Sequence, residues 1–176
     1  MVSMTNEEFS ERIVAMIQTL YRVSYSQLAQ AADRDEAVQE ALCKAWRKRG
    51  RLQDERFMQT WLIRILLNEC HNIQRKRQRE TLLNELPDRI VPADANYELH
   101  DALLRLDENL RLPVLLHYME GFKVGEIAGI LRLPEGTVKS RMRKGREELK
   151  KILDGEDESL CMIREATISQ TLRQIW

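Results

Sequence analysis

The sequence predicts an all-α protein with two small helical domains joined by a flexible linker. Its 176 residues suffice for one ordinary domain or two small ones, and 7 Gly and 4 Pro are too few for a turn-rich all-β fold. Apolar residues recur at helical spacing along most of the chain, and no stretch alternates apolar and polar side chains over the length of a strand. A hydrophobic content of 43% beside 32% charged residues indicates a folded chain with a hydrated surface.

The first two helices are delimited by local signals. Thr5 and Glu8 have the spacing of a capping box, in which two side chains bind N–H groups left unpaired at a helix start. A second helix is expected to begin near Asp33 or Asp35 and to end near Gly50, because glycine commonly follows a helix.

A third, longer helix follows the loop RLQDERF. Its apolar stripe runs from Phe57 to Ile73, and it ends in QRKRQRE, where four cations crowd together with no acid between them. The helix dipole favours cations at a C-terminus, but four of them exceed what the dipole requires. Trp46 and Trp61 fall on the apolar faces of their helices and are expected to pack in the core.

A segment of different composition and weak periodicity separates the two halves of the chain. Residues 81–98 hold Pro87 and Pro92 among scattered acids and show little periodicity. They are therefore interpreted as the linker between a first domain, residues 1–80, and a second domain, residues 99–153.

The second domain begins with a helical stripe that restarts at Leu99. Pro113 would cost ~3 kcal/mol inside a helix, so a break, a kink or a fresh helix is expected at that residue. Gly121 is expected to end the element that follows, since glycine readily adopts the backbone conformation of a helix C-terminus.

The segment from Val124 to Leu149 has the most informative spacing. KVGEIAGIL predicts a short amphipathic helix, LPEG a tight connection, and TVKSRMRKGREELKKIL a second helix whose Val138 and Met142 can face a core. A short helix, a turn and a second helix with a strongly basic outer face are typical of a DNA-binding helix-turn-helix.

The basic outer face suits DNA for direct reasons. An α-helix fits the major groove, its first turn offers N–H groups to a phosphate, and Lys and Arg reach phosphates and base edges. Four residues share one side of the helix and are predicted to face the groove: Lys139, Ser140, Arg143 and Lys144. Arg141 and Arg146 lie partly off that side and are interpreted as phosphate contacts or support, while Thr137 begins the helix.

Composition limits the classes of function. The 28 basic and 28 acidic residues give zero net charge, so only the placement of charge can argue for nucleic acid. No apolar run approaches the ~18–20 residues of a membrane span, and the first residues do not read as a signal peptide. Cys43, Cys70 and Cys161 lack metal-ligand spacing, so we expect free thiols in a reducing cytoplasm, with no metal or cofactor.

Three blocks together make the chain resemble the bacterial sigma factors of the extracytoplasmic-function type, the smallest class of the sigma-70 family. DEAVQEALCKAW resembles the polymerase-binding helix, and FMQTWLIRILLNECHNIQRKRQR resembles the segment that melts and reads the −10 promoter element. EGFKVGEIAGILRLPEGTVKSRMRKGREELKKIL resembles the domain that reads the −35 element. The last block is shared with many helix-turn-helix regulators, and the first two make the resemblance specific.

The resemblance implies a promoter-specificity subunit that is not an enzyme. Its expected partners are core RNA polymerase, through the β′ clamp helices and the β flap, promoter DNA and an anti-sigma factor, without membrane insertion. The implied polymerase-binding residues are Glu36, Gln39, Glu40, Lys44 and Arg47. The implied −10 residues are Asn68, Asn72, Arg75 and Lys76, with the loop 49–59 as a pocket wall. Many family members carry an acid where this chain has Asn72, which bears on the −10 sequence that is read.

Two other functions stay open. One is a stand-alone helix-turn-helix regulator that dimerises on an operator, and the other is an enzyme or redox sensor that uses a cysteine, although no acid or base adjoins these thiols in sequence. The tail, residues 154–176, starts with acids and continues with apolar residues. It is either a poorly ordered end or a helix that folds back on a DNA-binding domain and lowers activity.

Overall fold

The computed structural model describes residues 4–52, 54–81 and 97–154, and within these ranges the chain forms helices, turns and loops but no strand. The all-α prediction is confirmed. The described helices are α1 (Asn6–Gln27), α2 (Ala31–Lys48), α3 (Met58–Thr81), α4 (Tyr97–Arg105), α5 (Glu108–Val114), α6 (Val124–Leu131) and α7 (Glu135–Asp154). Most of the predicted linker and tail lies outside the described residues.

The start of α1 is the predicted capping box. The backbone N–H of Glu8 donates to Thr5 Oγ1 at 3.2 Å, and that of Thr5 donates to Glu8 Oε2 at 2.8 Å. The hydrogen bond from the Thr5 backbone is the main reason that the pKa of the Glu8 carboxyl is lowered. Two donors that the helix leaves unpaired are therefore satisfied by side chains close in sequence.

The start of α2 differs from the prediction. The helix begins at Ala31 rather than at Asp33 or Asp35, because Asp33 does not act as a cap. Its buried carboxylate instead accepts hydrogen bonds from Arg77 of α3, with the closest nitrogen at 2.7 Å. The helix ends at Lys48, and Gly50 then lies in a short 3₁₀ turn.

The core of the N-terminal half forms where α1, α2 and α3 meet. Ala37, Ala41 and Ala45 of α2 are fully buried, so this helix presents a narrow surface to its neighbours. Larger side chains, such as Leu20 of α1 and Leu66 of α3, fill the space between the helices and are also fully buried.

The break expected at Pro113 was misplaced. Pro113 lies inside α5, and the chain breaks earlier, at Leu106, where Asp107 caps the new helix by accepting the Asn109 N–H at 2.8 Å. The missing N–H of proline removes one backbone hydrogen bond, and burial of α5 offsets that loss. After Pro113 the chain widens into a π-helical turn, Leu115–Met119.

The helix-turn-helix consists of α6 and α7, as predicted. Gly121, with φ +73°, ends the preceding element, and Lys123 N–H donates to Glu126 Oε2 at 2.7 Å to begin α6. Arg132 ends α6 in the left-handed region at φ 55°, where a non-glycine residue is strained. On α7, Gly145 is buried because it faces α5 closely: an added Cβ would lie 2.7 Å from Val114 Cγ2.

The two halves pack against each other. Leu115, Leu116 and Phe122 of the C-terminal half belong to the same buried cluster as the residues of α1 and α3. Arg22 of α1 holds the buried Glu120 carboxylate with two hydrogen bonds, at 2.5 and 2.9 Å. Among the described helices, none is both long enough and apolar enough to cross a membrane.

Candidate nucleic-acid interface

The outer face of α7 presents the four residues predicted to enter the groove. Lys139, Ser140, Arg143 and Lys144 are all exposed. The buried stripe of the helix consists of Val138, Met142, Gly145 and Leu149. At about 100° per residue the exposed set is centred roughly opposite this stripe, so packing against α5 and α6 leaves it outward.

The cations of this face are held only loosely. Arg143 Nη1 lies 2.8 Å from Glu147 Oε1, and Lys144 Nζ lies 3.7 Å from Glu148 Oε1, both at i,i+4 spacing. The cations of both pairs are about two-thirds exposed, so such pairs contribute little stability and can give way to a phosphate. The Ser140 hydroxyl donates to the Thr137 carbonyl and keeps lone pairs that can accept.

The remaining predicted residues of α7 lie on its flanks. Arg141 is half-buried and donates to Asn109 Oδ1 at 3.4 Å, which is a long and weak hydrogen bond. Arg146 is half-buried with its guanidinium 5.9 Å from the Tyr118 ring. Their interpretation as phosphate contacts or support stays a prediction.

The predicted −10 residues share the exposed side of α3. Asn68, Asn72, Arg75 and Lys76 are all exposed, and Asn72 Oδ1 accepts a hydrogen bond from Arg75 Nη2 at 2.5 Å. The crowded cations of QRKRQRE are not equivalent, because Arg77 points to the opposite side and binds Asp33 of α2. One cation of the run is thus structural, and the others stay on the solvated side.

Two exposed aromatic rings lie near the connection between α2 and α3: Trp46 in the last turn of α2 and Phe57 directly before α3. Phe57 is 55% exposed, and sequence reasoning did not single it out as a functional residue because it matched the apolar stripe of α3. Trp46 is 40% exposed with Arg49 at 4.4 Å from its ring, so the prediction of core packing holds only on its inner side, where Phe9 lies 5.9 Å away. Trp61 is half-buried and packs on the core as predicted. Exposed aromatic rings beside cations suit the stacking of unpaired bases.

Four of the five predicted polymerase-binding residues form an outward polar face on α2. Glu36, Gln39 and Arg47 are exposed, and Glu40 is half-buried with Arg47 at 3.7 Å. Lys44, the fifth of these residues, is half-buried, and its Nζ turns to Glu69 Oε2 of α3 at 2.5 Å. Its hydrogen bond with Glu69 is also the main reason that the pKa of Lys44 is raised.

The described residues contain no cluster of three His, Cys, Asp or Glu side chains that could hold a metal ion. Burial raises the pKa of the Cys70 thiol to about 12, so this thiol stays protonated and is a poor nucleophile. Cys43 is exposed, and Cys161 lies outside the described residues.

Family models match both halves of the chain. The model of Sigma-70 region 2 matches residues 13–80, and that of Sigma-70, region 4 matches residues 97–149. A region 2 match beside the helix-turn-helix does not favour a stand-alone helix-turn-helix regulator.

Curated relatives give the same result. The chain is 30% identical over 139 residues to the ECF RNA polymerase sigma factor SigM of Mycobacterium tuberculosis, covering 76% of this chain and 71% of the relative. It is 28% identical over 154 residues to the ECF RNA polymerase sigma factor SigW of Bacillus subtilis, covering 76% of this chain and 82% of the relative.

Solved structures agree with the fold. The sigma factor RpoE from Bartonella quintana, in complex with the anti-sigma factor NepR, matches with a TM-score of 0.75 and 26% identity over 85% of this chain and 99% of that one. CnrH, solved with the cytosolic domain of CnrY, matches with a TM-score of 0.66 and 22% identity over 86% of this chain and 91% of that one, a likeness of fold.

Proposed function

The chain belongs to the sigma-70 family as an RNA polymerase sigma factor of the extracytoplasmic-function type, and from that premise we propose which surfaces perform each step of initiation. In our proposal α7 binds −35 duplex, α3 with the preceding loop captures the melted −10 strand, and α2 docks on the β′ clamp helices. The observation that carries the proposal is the exposed basic side of α7, centred roughly opposite its buried stripe.

The −35 step follows from the geometry of α7. Lys139, Ser140, Arg143 and Lys144 enter the major groove, while Arg141, Arg146 and the Thr137 end of the helix contact or support the phosphate backbone. Groove-facing cations contribute affinity by neutralising phosphates, so this step weakens as salt rises.

The −10 step uses the solvated side of α3. Asn68 and Asn72 present amides that can bind base edges, and Arg75 and Lys76 supply a cationic rim for the backbone. Exposed Phe57, in the loop that faces this helix, offers a surface on which an unpaired base can stack.

The docking step uses the outward side of α2. Glu36, Gln39, Glu40 and Arg47 make a polar surface of mixed charge, which suits a reversible contact with polymerase. Two modest DNA contacts then act together through one polymerase, because the second contact benefits from high effective concentration. The zero net charge of the chain is consistent with a protein that binds promoters only within the holoenzyme.

The proposal also includes the setting in which the chain works. It acts on polymerase in the cytoplasm, contacts the β flap through its helix-turn-helix half, and performs no chemistry of its own. An anti-sigma factor is proposed as a further partner, because the similar RpoE was solved in complex with one.

In vitro transcription with purified core polymerase tests the whole proposal. Start-site mapping should give transcripts that depend on the chain and on the sequences upstream of each start. Tight binding to duplex DNA without any binding to core polymerase would instead identify a stand-alone regulator.

Single variants test the separate surfaces. Lys144→Ala should weaken the use of the −35 element and leave core binding intact, and Lys151→Ala, which removes another exposed cation two turns later on α7, should change either property far less. Gln39→Ala with Glu40→Ala should weaken core binding first. Loss of core binding in Lys144→Ala would mean that the surfaces are misassigned.

A further inference from the structure

A buried acid lies between the proposed docking face of α2 and the proposed −10 face of α3. Glu69 of α3 is only 8% exposed, which is rare for an ionisable residue unless it is paired. Its Oε2 accepts a hydrogen bond from Lys44 Nζ at 2.5 Å and another from Asn72 Nδ2 at 3.3 Å. The same oxygen therefore touches a residue of each proposed face.

The contacts continue outward from this acid in both directions. Lys44 Nζ also lies 3.4 Å from Glu40 Oε1, which belongs to the exposed side of α2. On the other side, Asn72 Oδ1 accepts from Arg75 Nη2 at 2.5 Å. Glu40, Lys44, Glu69, Asn72 and Arg75 thus form one polar chain from helix to helix, which we call the α2–α3 bridge.

The α2–α3 bridge fixes the orientation of an amide. Asn72 donates one N–H to Glu69 and accepts at Oδ1 from Arg75, so its amide plane cannot rotate without losing both bonds. One N–H and one lone pair stay available to a base. An exposed asparagine without such partners would present either edge, and its readout of a base would be degenerate.

We propose that Glu69 is a positioning residue for −10 recognition and that Lys44 holds Glu69 in place instead of contacting polymerase. This inference rests on the proposed −10 role of Asn72. It reassigns Lys44 from the docking face to the support of the −10 face, and it adds Glu69, which sequence reasoning did not select.

Two variants of Glu69 separate the acceptor oxygen from the charge. Lys44 and Asn72 both donate to the same oxygen, Oε2, and a carbonyl oxygen has two lone pairs. Glu69→Gln, with its amide oxygen at the place of Oε2, can therefore keep both hydrogen bonds although it loses the charge. Glu69→Met has a similar size but no acceptor, so the orientation of Asn72 is lost.

The assay measures base preference rather than stability. Holoenzyme assembled from core polymerase and the full chain selects fork-junction DNA in which the single-stranded −10 positions are randomised. Wild type and Glu69→Gln should prefer one base at the position contacted by Asn72, and Glu69→Met should reduce that preference about tenfold. Core binding should stay unchanged in Glu69→Met and in Lys44→Met.

A matched control removes another buried ion pair. Asp33, 7% exposed and paired with Arg77, joins the same two helices without touching Asn72. Asp33→Asn should lower thermal stability as Glu69→Met does and leave the −10 preference intact. An equal loss of preference in Asp33→Asn would overturn the positioning role.

The outcomes separate this inference from the proposed function. If Asn72→Ala abolishes the base preference and Glu69→Met keeps it, the α2–α3 bridge does not position Asn72. If Asn72→Ala itself keeps the preference, the −10 assignment fails and the inference fails with it. Weaker core binding in Lys44→Met would return Lys44 to the docking face.

Discussion

Gly145 gives a sharp test of the packing that presents α7 to DNA. A Cβ added at this buried position would lie 2.7 Å from Val114 Cγ2 and 3.2 Å from the Leu110 carbonyl oxygen, both on α5. Val114 is itself buried and the second contact is to backbone, so neither can move without shifting a helix. We therefore expect Gly145→Ala to push α5 and α7 apart.

The magnitude follows from two opposing effects. Alanine is favoured over glycine inside a helix by ~1 kcal/mol. Overpacking of a well-filled core costs ~1–3 kcal/mol, and contacts this short belong at the upper end. The net loss in the free energy of unfolding is then about 2 kcal/mol, which corresponds to a Tm lower by roughly 4–8 °C for a chain of this size.

A matched glycine supplies the control. Gly129 lies inside α6, and an added Cβ there would meet nothing within 4 Å. Gly129→Ala should therefore raise the free energy of unfolding by up to about 1 kcal/mol, from helix propensity alone. Thermal unfolding by circular dichroism measures both variants, and a Gly145→Ala protein as stable as Gly129→Ala would refute the close approach of α5 and α7.

Three further predictions concern helix ends and use the same unfolding assay. Thr5→Ala should lower the free energy of unfolding by about 1 kcal/mol, because it removes an N-cap, and an unchanged Tm would contradict the capping box. Asp107→Ala should be less stable than wild type at pH 7, because hydrogen bonds from Asn109 to the Asp107 carboxylate lower the pKa of that carboxyl below 3.8 in the folded state. The stabilisation by the ionised carboxylate is complete above pH 3.8, so the difference in the free energy of unfolding between the two proteins should close as the pH falls through the lowered pKa. Arg132→Gly should raise the free energy of unfolding by up to about 1 kcal/mol, since glycine adopts φ 55° without strain, and a loss of stability would mean that the arginine side chain contributes more than its backbone costs.

Signals confined to neighbouring residues were predictable from the sequence. The Thr5 cap, the stop at Gly121 and the exposed side of α7 all depend on contacts within one turn or one helix face. Pro113 was misjudged because tertiary burial of α5 offsets a local cost. Asp33 was misjudged for a related reason: its partner, Arg77, is 44 residues away in the chain.

In the candidate site, too, local patterns were predictable from the sequence and contacts between helices were not. The exposure of Asn68, Asn72, Arg75 and Lys76 follows from helical periodicity. The inward turn of Lys44 does not, because a lysine at the edge of a polar face can point to solvent or to a neighbouring helix. The sequence could have pointed to Glu69 only because it is an acid on a side of α3 whose other residues are apolar.

The shared core of the two halves limits the distance between α3 and α7. Both α3 and α7 pack against α6, so with packed helices ~8–10 Å apart their axes lie within about 20 Å of each other. Promoter elements named −35 and −10 are separated by ~25 base pairs, or about 85 Å of duplex. With α3 at the −10 element and α7 at the −35 element, as proposed, one rigid body of this shape would not reach both, and we expect promoter binding to part α5 and α6 from α1 and α3. Leu115 and Phe122, now buried, would then face water, and we expect a surface on the polymerase to cover them.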